Sequence, residues 1–218
     1  RWLITAFEDD RYMTINKRPI FLVYRPSDLP NPRKTTDTFR QECLTSGVEN
    51  PYLIGVNGHD VNLDSRTIGF DATLHFTPQL GILPEAFEDD PSASKLERNL
   101  KFGVNSDALK IYNYKEAIKA MLDLRKSLEH PTIPSICIGW DNTPRRAEKA
   151  IVLTGSDPDF FQAELAALVD EQAAKPEDVR LVFLNAWNEW AEGNYLEPDI
   201  QNGRRFLEAT RKALCCPE

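Results

Sequence analysis

A chain of 218 residues with 41% hydrophobic and 28% charged residues has the composition of a folded globular protein and excludes a disordered one. Its 26 basic and 34 acidic residues leave a net charge of −8, which argues against a nucleic-acid partner, since such a surface needs a net basic face. No apolar run approaches the roughly 18–20 residues of a membrane span, so none is expected.

The sequence opens at Arg1-Trp2-Leu3-Ile4 without an initiator methionine or signal peptide, and reads as part of a longer polypeptide. Residues 20–24 (Ile-Phe-Leu-Val-Tyr) form the first strand-sized apolar run. A helix is expected over 36–46, with Phe39 and Cys43 on one face and Gly47 as its stop signal. Strands are expected at 52–56 and, more weakly, 70–76. The polar segment 84–111, which carries Glu88-Asp89-Asp90, reads as an insertion over a sheet edge. A helix over 113–128 opens on Asn113 and Glu116 and repeats Tyr114, Ile118, Met121, Leu122, Arg125 and Leu128 at helical spacing. A strand at 135–140 follows, then a helix opening at Asp157-Pro158 with Phe161, Leu165, Leu168 and Val169 along one face. A strand at 181–187 and a helix at 201–214 complete the series.

Short apolar strands alternating with helices predict an α/β chain with a mostly parallel sheet, forming a single domain over 1–218. About five strands are too few for an eight-stranded barrel and suit the C-terminal part of a (β/α)8 TIM-type barrel. The four cysteines (Cys43, Cys137, Cys215, Cys216) are too few for a disulfide scaffold, and predict a reducing, cytoplasmic setting.

The chemistry is concentrated in 185–199, directly after the strand at 181–184 and so at a carboxyl end, where α/β folds place ligand sites. Glu189, Glu192 and Glu197 are interleaved there with Trp187, Trp190 and Tyr195. Two carboxylates beside aromatic platforms are what glycosidic chemistry needs: one acid protonates the leaving oxygen, another group supports an oxocarbenium-like centre, and aromatic faces stack on sugar rings. The bland alternative makes the tryptophans core and the glutamates a solvated loop. At the preceding strand end, Trp140 is expected to stack on a sugar, with Asp141 and Arg145 bonding hydroxyls or holding Glu192 in place. The alternative there is a simple turn through Asn142-Thr143-Pro144. Tyr24 and Arg25 end another strand and are candidates for the same face, with a structural ion pair as the alternative for Arg25. Asp71 is open between a site role and a structural one. His59, His75 and His130 do not form a metal site, and the chain has no glycine-rich phosphate loop, so neither metal nor cofactor is expected. Asp157-Pro158-Asp159 matches the letters of a metal-binding Asp-x-Asp, although helix capping explains it better.

The segment Asn185-Ala-Trp-Asn-Glu-Trp-Ala-Glu-Gly-Asn-Tyr-Leu-Glu-Pro-Asp199 closely resembles the signature of the WbsX-like family. These are bacterial proteins of cell-surface polysaccharide gene clusters, named glycosyltransferases and similar to glycoside hydrolase family 99. The runs Lys17 to Pro26, Gly69-Phe70-Asp71-Ala72, and Gly139-Trp140-Asp141-Asn142-Thr143-Pro144-Arg145-Arg146 extend the resemblance over nearly the whole chain. It implies a (β/α)8 barrel whose first strands lie upstream of Arg1, so that the N-terminal barrel half of the same polypeptide becomes a partner. The Asn-Glu-Trp-x-Glu-Gly motif of the family 99 endo-mannosidases and endo-mannanases is matched by Asn188 to Gly193. By that resemblance Glu189 acts on the sugar 2-hydroxyl to form a transient 1,2-anhydro sugar, Glu192 is the general acid/base, and configuration is retained. Asn188, Trp187, Trp190, Tyr195 and Glu197 are then substrate-binding, and the substrate is a cell-surface polysaccharide or its oligosaccharide precursor. Two other readings stay open: a glycosyltransferase of O-antigen or polysaccharide biosynthesis, and a non-catalytic carbohydrate-binding domain.

Overall fold

The computed structural model describes residues 2–83, 110–176 and 180–215. Most of the expected insertion at 84–111 lies outside the described residues, as does Cys216. The chain is mixed α/β and divides into two compact units. One comprises the described residues of Arg1–Phe76, Leu128–Pro134 and Pro176–Arg180; the other comprises those of Thr77–Ser127, Ser135–Lys175 and Leu181–Glu218.

The first unit runs α1 (Trp2–Phe7), β1 (Thr14–Ile15), β2 (Arg18–Tyr24), α2 (Pro32–Thr45), β3 (Tyr52–Asn57) and β4 (Ala72–His75). Its sheet has the order β1-β2-β3-β4, antiparallel at the first pair and parallel thereafter, with Ile20 opposite Tyr52 and Ile54 opposite Ala72. All of β3 and β4 is buried, the pattern of strands covered on both faces. Leu74 makes a further parallel bridge to Ile133. Helix α2 starts four residues before its expected beginning. Asn31 caps it by accepting from the Lys34 N–H at 3.0 Å, and Pro32 supplies a preset first turn. That turn carries no apolar residue, so hydrophobic periodicity does not reveal it. Gly47 (φ +79°) ends the helix, with Val48 N–H donating to Cys43 O at 2.9 Å and Gly47 N–H to Leu44 O at 3.1 Å. Val48 and Cys43 thereby meet Phe7 in a small core backed by Tyr12, Phe21 and Phe39.

The second unit contains β5 (Lys110–Asn113), α3 (Tyr114–Ser127), β6 (Ser135–Cys137), β7 (Trp140–Asp141), a one-turn α4 (Thr143–Arg146), β8 (Ile151–Thr154) and α5 (Pro158–Ala173). It continues with β9 (Phe183–Asn185), β10 (Asn188–Glu189), β11 (Asn194–Tyr195) and α6 (Arg205–Leu214). β6 pairs in parallel with β9, β5 pairs in parallel with β8, and β7 pairs antiparallel with β8. The expected strand at 135–140 is therefore two strands in different sheets. Ile138 N–H reaches Asn185 O, the chain turns at Gly139, and Trp140 lies opposite Leu153. The core gathers Tyr114, Ile118 and Met121 of α3, Ile136 of β6, Phe161 and Leu165 of α5, and Phe206 of α6.

Helix starts in this unit follow local side-chain chemistry. Asn113 Oδ1 accepts from the N–H groups of Lys115 and Glu116 at 2.9 and 3.3 Å. Asp157 Oδ1 accepts from Asp159 N–H at 3.0 Å, while Asp157 Oδ2 pairs with Lys115 Nζ at 2.7 Å. Lys115 and the Asp159 N–H hold the Asp157 carboxyl below the usual carboxylate range. Asp157→Ala is expected to destabilise the fold by about 1 kcal/mol, the usual cost of losing such a cap, as a shift in denaturant midpoint at unchanged slope. Helix α6 starts later than the expected 201, because Asp199 first accepts from the Asn202 N–H and bridges Gly203 in a tight turn. Among the described residues, no helix is long and apolar enough to cross a membrane.

Candidate active site

The segment 186–199 leaves β9 at its carboxyl end and folds into the β10–β11 hairpin, with Asn188 opposite Tyr195 and Glu189 opposite Asn194. Leu196 and Glu197 donate backbone N–H groups to the carbonyls of Ala186 and Trp187, which explains why β9 stops at Asn185 rather than running to 187. A one-turn 3-10 helix, Trp190–Glu192, joins the two hairpin strands, and Gly193 closes it with φ +56°. A Cβ on Gly193 would lie 2.9 Å from Asp141 Cβ and 3.0 Å from Asp141 N, so the hairpin sits directly on β7. Fully buried Asn194 fixes the same contact by accepting from the Ile138 N–H at 3.2 Å.

Glu189 and Glu192 are thus carried on one short hairpin. The Glu192 side chain is 19% exposed and is ion-paired with Arg145 of α4, whose side chain is 58% exposed. Burial raises the Glu192 carboxyl above its ordinary value, the charge of Glu189 adds to that rise, and Arg145 only partly opposes it. Of the two contacts expected for Arg145, the one to Glu192 is present.

The aromatic residues divide into two groups. Trp190 stacks on Tyr195 with ring centroids 3.7 Å apart and 13° between planes, and its Nε1–H donates to Glu197 Oε2 at 2.6 Å. Trp190 and Trp187 remain 48% and 54% exposed, and Asn188 is exposed beside them. Trp140 is 7% exposed and belongs to the core. It was expected to stack on a sugar but forms part of a cavity wall, and the open aromatic faces here are Trp187 and Trp190. Asp141 accepts from Thr143 N–H at 2.9 Å through Oδ1 and lines the same cavity. That cavity, of about 260 Å³, lies between the ends of β7 and β8 and the turn at 199–203. Asp199, the last residue of the segment 185–199, lines it as well, together with Ser156, Gln201 and Asn202, which were not candidates from the sequence. The only available signal was Asp199 three residues before Asn202-Gly203, a turn-forming pattern.

The first unit holds the two remaining candidates. Tyr24 ends β2, is 54% exposed, and meets His59 and Phe76 edge-on. Arg25 pairs with Asp28 at 2.9 Å, the structural alternative for that residue. A cavity of about 150 Å³ opens at the ends of β2 and β3, lined by Arg25, Asp28, Asn57, His59 and Asp60 among others. Asp71 stands at the entry of β4. Its Oδ1 accepts from Arg18 at 2.6 Å, and its Oδ2 accepts from Arg40 at 2.9 Å and from Leu53 N–H at 2.8 Å. Asp71 thus ties β2, α2 and β3 together. Among the described residues, no three histidine, cysteine or acidic side chains converge as a metal site would require.

Comparison with known proteins adds the following. The family model "Glycosyltransferase WbsX" matches residues 1–210. The "Uncharacterized protein WxcX" of Xanthomonas campestris pv. campestris strain B100 is 35% identical over 205 residues, covering 94% of this chain. The protein of the same description from strain ATCC 33913 is 36% identical over 205 residues. The chain spans 28% of the length of each of these relatives. No solved structure matches it.

Proposed function

The chain belongs to the WbsX glycosyltransferase family, and on that premise we propose that it is a glycoside-active domain working through the paired carboxylates Glu189 and Glu192. The reaction is of the retaining hydrolase or transglycosylase type, and the substrate is a cell-surface polysaccharide or its oligosaccharide precursor. The observation that carries this reading is the hairpin itself: two glutamates at a strand's carboxyl end, one withdrawn from water and holding its proton more tightly than an ordinary glutamate. A carboxyl of that kind serves as proton donor to a leaving oxygen, while the neighbouring carboxyl group acts on the sugar. Glu192 takes the donor role and Glu189 the other. Trp187, Trp190 with Tyr195, Asn188 and Glu197 form the sugar-facing surface. Trp140 and Asp141 contribute from β7. In the first unit, taken by itself, Tyr24 at the end of β2 is a separate sugar-binding candidate.

For the frame, we propose the C-terminal five strands of a (β/α)8 barrel, the rest coming from the same polypeptide. The parallel pairs β2-β3-β4 and β6-β9, with catalytic candidates following a strand's carboxyl end, support it. The family's description favours a second reading, a nucleotide-sugar glycosyltransferase. Its Asp-x-Asp candidate has Asp157 engaged in capping α5 and pairing with Lys115.

The deciding experiment incubates the intact protein with oligosaccharides of a bacterial surface polysaccharide and follows the anomeric signals by NMR. Turnover with retained configuration, without nucleotide sugar, supports the paired-glutamate reading. An absolute need for a nucleotide sugar transfers the chain to the second reading, and sugar binding with no turnover leaves a carbohydrate-binding domain.

A further inference from the structure

We propose that the cavity beside the hairpin is a binding site for one uncharged sugar ring, next to the position where the bond is processed. Its volume of about 260 Å³ lies below the roughly 300–1,000 Å³ of pockets for drug-sized ligands, so it accepts a single ring rather than an oligosaccharide. Its walls are of two kinds. Val152, Leu153 and Phe206 present an apolar side suited to the C–H face of a ring, and Asp141, Asp199 and Gln201 present polar groups suited to its hydroxyls. Asp141 Oδ2 and the Gln201 side-chain amide make no hydrogen bond among the described residues, so both can bond a ligand, while the Gln201 backbone N–H is taken by Asp199. Asp199 is held in place by Asn202.

Charge decides the ligand class. Two carboxylates and no lysine or arginine line this cavity. Uronic acids, sugar phosphates and nucleotide diphosphate groups are repelled, and a neutral ring with several hydroxyl donors is favoured. Neither Glu189 nor Glu192 lines the cavity, whereas Gly193, the residue after Glu192, does. The ring held there is therefore a neighbour of the one acted on. That placement rests on the glycoside-active reading above.

Saturation-transfer NMR and titration of the intact protein with methyl glycosides of neutral hexoses and 6-deoxyhexoses test the site, with glucuronic acid and a hexose 1-phosphate as anionic probes. At least one neutral glycoside is expected to bind, with the anionic probes at least tenfold weaker. Gln201→Ala, at an exposed position, is expected to weaken the neutral ligand about fivefold, as loss of one net hydrogen bond does. Hydrogen exchange should show ligand protection at 139–141 and 199–203. No neutral glycoside bound at millimolar concentration, anionic probes binding equally well, or unaltered binding in Gln201→Ala overturns the proposal. Turnover assays on the same samples separate the two readings. Binding here without turnover removes the catalytic assignment alone, and turnover unaffected by any cavity variant removes the cavity assignment alone.

Discussion

Glu192→Gln is expected to lower turnover on a glycoside substrate by about 10²–10⁴-fold, equivalent to roughly 3–5 kcal/mol of barrier. The amide is nearly the same size and keeps the hairpin, but it has no proton to give. A more specific consequence comes from the two charges that act on Glu192 in opposite directions. The donor works in its protonated form, so activity falls as pH rises through its pKa, and that pKa sets the alkaline limb of the kcat profile. Arg145 favours the ionised form and Glu189 disfavours it. Arg145→Ala should therefore move the alkaline limb to higher pH, and Glu189→Gln should move the limb of its residual activity to lower pH. Opposed shifts of one limb are not produced by general loosening of the fold. An alkaline limb that stays put in both variants would sink the assignment of Glu192 as the proton donor.

The second large effect concerns stability. Arg125 of α3 is 6% exposed, and its guanidinium donates to both oxygens of Glu171 on α5. A buried cation that loses its counter-ion is costly, typically about 3–5 kcal/mol, because the remaining charge has neither water nor partner. Glu171→Ala is expected to destabilise the second unit by about 3 kcal/mol, toward the low end because the Glu171 side chain is 34% exposed. The double variant Arg125→Met/Glu171→Leu, which leaves no orphan charge, should be far closer to wild type. Arg125 holds the Glu171 carboxyl below its usual range. A depressed carboxyl pKa contributes stability above the unfolded value of about 4.3 and loses it as pH falls through the folded one. The gap between Glu171→Ala and wild type should therefore narrow on acidification. Chemical denaturation at neutral and acidic pH measures both effects. A single variant no less stable than the double one would overturn the account.

What could be read in advance follows from how far apart in the chain the determinants lie. The runs at 20–24 and 52–56 were legible because they are apolar almost throughout, and β2 and β3 occupy them, whereas 70–76 was weaker because Asp71, Thr73 and His75 interrupt the apolar pattern of β4. The start of α5 was legible because Asp157-Pro158 is a local cap. β5 and β8 were missed although Ile151-Val152-Leu153-Thr154 is an apolar run, and β5 lay in a segment assigned to an insertion. The break at Gly139 was hidden as well, because the apolar pattern continues from Ile138 to Trp140 while their hydrogen bonds go to different strands. At the site, Glu189, Glu192 and the aromatic residues fall within a dozen positions and could be recognised together. The Arg145–Glu192 pair spans 47 positions, and the cavity is assembled from segments around 140, 155 and 200, which only the folded chain brings together.

Gly193 has a consequence for how this region can vary. Between the turn that carries Glu192 and the backbone of Asp141 there is room for a hydrogen atom and not for a methyl group. Any side chain at 193 must push the hairpin and β7 apart, and β7 carries one wall of the cavity. The separation between the glutamate hairpin and the cavity is thus a fixed spacing rather than an adjustable one. A change in the length of sugar chain accommodated would have to be made in the 199–203 turn, where Ile200, Gln201 and Gly203 are exposed, while the hairpin side stays as it is.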